Sequence, residues 1–218
     1  MVILLLTLFA AILIHLATIA VVGRSLGVNI RLFSLGFGPA IFEKRTLRLG
    51  AIPAGGYVRF RNSQWETIPP EEMSTALDGR SIFEQIVISL SGCIALLVLG
   101  VGMAGAAGLD AFLNTPRQIF AGATSPFGDA QILIQQGWDF VRQAPFSILA
   151  GIVCTKVSAL NLLPFPPLNG GAAIAVIARR IGIAKWWHPS ATMLLAIVYF
   201  TLFVSWCLAL MWFTVGSR

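Results

Sequence analysis

Long apolar runs alternate along this chain with short segments punctuated by glycine and proline. The first run, residues 1–23, is long enough to cross about 30 Å of hydrocarbon as a helix. No basic region precedes it, no small-x-small cleavage site ends it, and the positive charge follows at Arg24. A retained first membrane helix is therefore expected in place of a removed signal peptide. Residues 28–62 change character: β-branched and aromatic runs are broken at Gly36, Gly38, Pro39, Gly50, Pro53, Gly55 and Gly56. This predicts a small region of strands and turns, with strands at residues 30–33 and 56–60.

Residues 63–82 carry Glu66, Glu71, Glu72, Asp78 and the pair Pro69-Pro70, which predicts a solvated cytoplasmic loop. A second membrane helix is predicted over 83–108, with Gly100, Gly102, Gly105 and Gly108 offering a small-residue face for close helix contact. Residues 109–144 read as an extracytoplasmic loop containing an amphipathic surface helix over 131–142. Residues 145–180 form a third apolar region broken at Pro164, Pro166 and Pro167. Such breaks persist in a bilayer where protein covers them or they line a cavity. A fourth span is predicted over 190–215. The fold class is thus a mainly α-helical membrane protein with about four transmembrane helices, a small β-region after the first and a broken third, all in one domain.

Composition agrees with the pattern. The chain is 57% hydrophobic and 11% charged, where soluble domains carry roughly a quarter charged residues. Its net charge of +6 does not point to nucleic acid, because the basic residues lie between apolar runs. Their placement instead reads as membrane topology. Arg24, Arg31, Lys44, Arg45, Arg48, Arg59, Arg61 and Arg80 flank one side, joined by Arg179, Arg180 and Lys185, while Arg117 and Arg142 are sparse on the other. Both termini are expected to be extracytoplasmic, in a bacterial inner membrane. Cys93, Cys154 and Cys207 lie in apolar runs without metal-binding or disulfide spacing.

Several rare patterns recur together. His15-Leu16-Ala17-Thr18-Ile19 lies in the first apolar run. It is followed by Gly27-Val28, by Phe33-Ser34-Leu35-Gly36-Phe37-Gly38, by Ile52-Pro53-Ala54-Gly55-Gly56-Tyr57-Val58, and later by Asn161-Leu162-Leu163-Pro164-Phe165-Pro166-Pro167-Leu168-Asn169-Gly170-Gly171. In order and spacing the chain resembles the site-2 protease family of intramembrane zinc proteases. The resemblance implies a first helix carrying H-E-x-x-H, a membrane-associated hairpin, and a later L-D-G-G element. Histidines four apart share one helical face, so they grip one ion while the intervening Glu reaches its bound water.

On this sequence the resemblance assigns the first ligand position to His15, the base to Leu16, the second ligand to Ile19 and the carboxylate to Asn169. Leu and Ile have no lone pair to offer, and a neutral amide is a weak zinc partner. The family's G-P-x-x-N element also departs, with Cys93 at the proline and Leu96 at the asparagine, and Ala172 follows the second glycine. His188 precedes Pro189 near the last span, and no spacing recommends a rearranged set of His15, Cys93 and Cys154. No catalytic residues, metal or other cofactor are expected; a His15 to Asn169 contact is expected where the metal bridge would be.

The chain is expected to be a pseudoprotease, not an enzyme. It would bind or scaffold a partner membrane protein through a transmembrane helix or extended segment, within a larger complex. Pro53, Gly55, Gly56, Tyr57, Asn161, Pro164, Pro166 and Asn169 are the residues expected to contact that partner, with the lipid bilayer as the other environment. No peptide-binding domain is inserted between the second and third spans, which favours a small permanent subunit. The alternative is an atypical active intramembrane metalloprotease; a third is a small transport or channel component. Lys156 is the clear intramembrane charge, expected to snorkel, pair or contact backbone carbonyls. Trp186, Trp187, Trp206 and Trp212 are expected as interface anchors or lipid-facing packing.

Overall fold

A computed structural model describes residues 2–182 and 189–216, with the backbone alone described at Pro53, Ala54 and residues 189–191. Trp186, Trp187 and His188 lie outside the described residues. The first apolar run forms helix α1, Val2–Ser25. Its buried face repeats at every fourth residue through Thr7, Ala11, His15, Ile19 and Gly23, the stripe that a 3.6-residue turn produces.

Two strands follow, β1 (Ile30–Lys44) and β2 (Leu47–Phe60), paired antiparallel. Both run well beyond the expected 30–33 and 56–60, because the glycines bend the strands without ending them. Gly36, at φ 81°, is one such bend: a Cβ there would lie 2.8 Å from the carbonyl oxygens of Gly50 and Ile52. The ladder shifts register around it, as β-bulges do. The doubled sheet pairs Phe33, Ser34 and Leu35 with Val58, Tyr57 and Gly56, and also with Leu47, Arg48 and Leu49. The acidic loop contains a short 3₁₀ helix, Pro70–Thr75, tied to the sheet by Arg61, which meets Glu72 at 2.6 Å and Thr75 at 3.0 Å.

Helix α2 runs from Ile82 to Thr124 and opens with a capping box between Ser81 and Glu84. It is not the straight span expected over 83–108. Gly105 has φ 56° and ψ −136°, and the chain reverses there. A Cβ on Gly108 would lie 2.9 Å from the Gly100 carbonyl oxygen, although in a straight helix these residues stand about 12 Å apart. In the stretch expected as a loop, 109–144, the first part is instead the second limb of α2, while the helix expected over 131–142 is present as α3, Asp129–Gln143.

Helix α4, Phe146–Asn161, packs against both limbs of α2. A Cβ on Gly100 would lie 2.6 Å from the Gly151 carbonyl oxygen, so the first limb and α4 meet backbone to backbone. Ser158 donates to the Cys93 carbonyl at 2.8 Å. On the other limb, Lys156 Nζ donates to Gln118 Oε1 at 2.5 Å. After a bend at 162–168 come α5 (Asn169–Arg180) and α6 (Pro189–Gly216).

Among the described residues, α1, α2 and α6 are long and apolar enough to cross a membrane, and α4 is a shorter apolar helix. The molecule is thus a mainly helical integral membrane protein with a small sheet after its first helix. Trp206 is not lipid-facing as expected: it is half-buried, donates to the Ile119 carbonyl at 3.0 Å and covers Gly122. Trp212 is exposed and meets Phe127 edge-on.

Candidate functional site

His15, Leu16 and Ile19 face inward from α1, with exposures of 5%, 4% and 7%. Asn169 begins α5, where the bend at 162–168 turns the chain back toward α1. The expected contact is present: His15 Nε2 and Asn169 Oδ1 are 3.1 Å apart. Asn169 Nδ2 also donates to the Ser89 carbonyl of α2 at 2.6 Å. That second bond fixes the amide, leaving Oδ1 for the imidazole, so Nε2 must carry the proton and donate. Three helices are thereby tied by one side chain.

The remaining ring nitrogen, Nδ1, is buried and makes no well-formed hydrogen bond among the described residues. It faces Gly92, where a Cβ would sit only 2.6 Å away. Nε2 has spent its lone pair on a proton, and the Nδ1 lone pair is closed off by a neighbouring backbone.

The other two positions are taken up by packing. Leu16 lies against the sheet: a Cβ on Gly56 would be 2.6 Å from Leu16 Cδ1. Ile19 belongs to an apolar cluster with Val28, Phe60 and Ile88 beneath the hairpin. Burying such side chains is worth about 1.5–3 kcal/mol each against water, and less against lipid, where close packing does the work. These residues do not fit zinc. Two of the four assigned positions carry no donor atom, and among the described residues no group of three His, Cys, Asp or Glu could hold a metal ion.

The other expected contact residues are dispersed. Gly56 reaches the seam through Leu16. Gly55 underlies the Phe37 ring, which stacks on Tyr57 at 6.4 Å, and the Tyr57 hydroxyl accepts from Arg48 at 3.2 Å. Among the described residues, Gly56, Tyr57 and Val58 pair with β1 along one edge only. Pro53 lies in β2, and its side chain falls outside the described residues. Asn161 does not approach His15; its amide donates to the Val157 carbonyl of its own helix at 2.9 Å. Pro164 is exposed and Pro166 half-buried in the bend.

Sequence reasoning missed Ser89, which acts through its carbonyl and so leaves no mark in residue type. Gly92 carried a signal, as the glycine of the degenerate element on α2.

The family model for peptidase family M50 matches residues 3–205. Over 86 residues the chain is 33% identical to the regulator of sigma-E protease RseP of Escherichia coli strain K12, a match covering 37% of this chain and 19% of that protein. It is 28% identical over 83 residues to the regulator of sigma E protease of Haemophilus influenzae, covering 36% and 19%. The matched stretch spans only about a fifth of either relative. The family model, by contrast, runs from the first turn of α1 into α6, through every element that builds the His15 seam, and on that extent the chain belongs to peptidase family M50, the site-2 proteases.

Proposed function

We propose that this chain is a pseudoprotease of its family, a membrane subunit that holds a segment of a partner protein without cutting it. The observation that carries this is the His15 to Asn169 hydrogen bond, with Leu16 and Ile19 packed where a base and a second ligand would stand. The frame that would present a substrate is retained. The Gly56 to Val58 edge of β2 has backbone groups free to pair with an added strand, and it abuts the seam at Leu16. We take the membrane to be a bacterial inner membrane with both termini extracytoplasmic, supported by the clustering of Arg and Lys on one side and by the bacterial sources of the relatives.

A second reading, an atypical active metalloprotease, is favoured by the protease names of those relatives. One experiment separates the two. Protein purified in mild detergent without chelator is assayed for zinc, and a photo-crosslinking residue at Tyr57 is compared with one at the lipid-exposed Phe200. Well below one zinc per chain, with a discrete partner captured from position 57 alone, supports the pseudoprotease. One zinc per chain, lost in His15→Ala, overturns it.

A further inference from the structure

The second limb of α2, with α3, α4 and α6, borders an open-sided cavity of about 890 Å³. None of its lining residues belongs to the His15 seam. Most of the wall is apolar, including Leu163, Phe165 and Leu202, but it also carries Asn114 and the bonded pair Lys156 and Gln118. The size and the mixture of apolar wall with a few convergent polar groups are those of a small-molecule site, for which about 300–1,000 Å³ is usual.

Lys156 decides the ligand class. Its ammonium has three protons, one of which goes to the neutral Gln118 amide at 2.5 Å. Among the described residues no carboxylate stands within ion-pair distance of it. Asp110 also borders the cavity without pairing with it. A lysine on an apolar helix is a functional-site candidate, and protons left without an acceptor suit an anion.

We propose that this cavity binds a single-chain amphiphile with an anionic carboxylate or phosphate head group. The head group takes the two free protons of Lys156, and the tail lies along Leu163, Phe165 and Leu202. This goes beyond the pseudoprotease reading and does not depend on it.

The test uses 9,10-dibromostearate as probe on the full chain in maltoside micelles. Its bromines quench tryptophan, and Trp206 lines the cavity. A saturable component of quenching is expected in the unaltered protein above the linear background from the other tryptophans, and that component is expected to be lost in Trp206→Phe. The neutral methyl ester of the same acid should bind at least about tenfold more weakly, the worth of a charge-assisted hydrogen bond. Lys156→Met should weaken the acid by a similar factor and Lys156→Arg should preserve it. Displacement by oleate alone restricts the site to carboxylates; displacement by oleoyl lysophosphatidate as well extends it to phosphates. Equal binding of acid and ester, which needs no variant to fold, overturns the proposal. So does displacement by a transmembrane peptide with a central Glu but not by oleate.

Discussion

Gly92 and His15 are in such close contact that any side chain at position 92 would place its Cβ 2.6 Å from both Nδ1 and the backbone carbonyl oxygen of His15. The imidazole is held between this glycine and Asn169. The carbonyl oxygen belongs to a packed helix and cannot swing away as a flexible side chain could.

Gly92→Ala should therefore destabilise the protein by about 1–3 kcal/mol through overpacking. Gly102, ten residues along the same helix, has nothing within 4 Å of its Cβ position. Gly102→Ala should be neutral or stabilising by about 0.5–1 kcal/mol, as in any open helical position. Thermal unfolding of the two variants in one detergent gives the comparison; equal effects would contradict the tight His15 contact.

Asn169→Asp alone should leave zinc binding unchanged, because Leu16 and Ile19 still supply no donor. Leu16→Glu, Ile19→His and Asn169→Asp together should raise bound zinc toward one per chain, since three protein ligands and an open position then exist. Elemental analysis of both proteins checks this, and stoichiometric zinc in the single variant would contradict a seam without ligands at positions 16 and 19.

Gly105 occupies a backbone region that residues with a Cβ rarely adopt. Nothing lies within 4 Å of its Cβ position, so any cost of Gly105→Ala is conformational, about 1–3 kcal/mol. Gly102→Ala serves as the control from three residues earlier. If both substitutions are equally tolerated by melting temperature, α2 does not reverse at Gly105.

Arg31 Nε donates to Glu66 at 2.8 Å, with a second, bidentate contact. This hydrogen bond holds the Glu66 carboxyl below its ordinary value, with Arg31, Arg61 and Arg59 adding favourable charge. A lowered folded-state pKa means the contribution is complete above the unfolded carboxylate value, about 4.3, and is lost as pH falls through the folded value. The unaltered protein should melt above Glu66→Gln at pH 6, and the gap should close on acidification below pH 4. Both partners meet solvent, so 0.5 M salt should also narrow the gap; a gap constant in pH would discount the pair.

The parts of this fold written as long uniform runs were legible: α1 and α6 need only sustained hydropathy, and their ends lie within a few residues of those expected. The reversal in α2 was not. Gly100, Gly102, Gly105 and Gly108 look alike in sequence, yet one meets α4, one is open, one turns the chain and one faces the first limb; positive φ leaves no trace in residue type. The strands were underestimated for the related reason that Gly36 was read as a stop. In the site, His15 and Asn169 are 154 positions apart, and only the resemblance to a family brought them together. The Lys156 to Gln118 bond had no comparable guide.

Ile19 and Leu16 do more than stand in for ligands, because they fasten the hairpin to the first helix through Phe60, Val28 and Gly56. A lineage carrying this seam that acquired a polar donor at position 19 or 16 alone would give up an apolar contact before any ion could repay it. Stepwise routes from this sequence toward a metal centre thus begin with a loss at either position, and the packing acts as a ratchet that favours keeping the chain as it is.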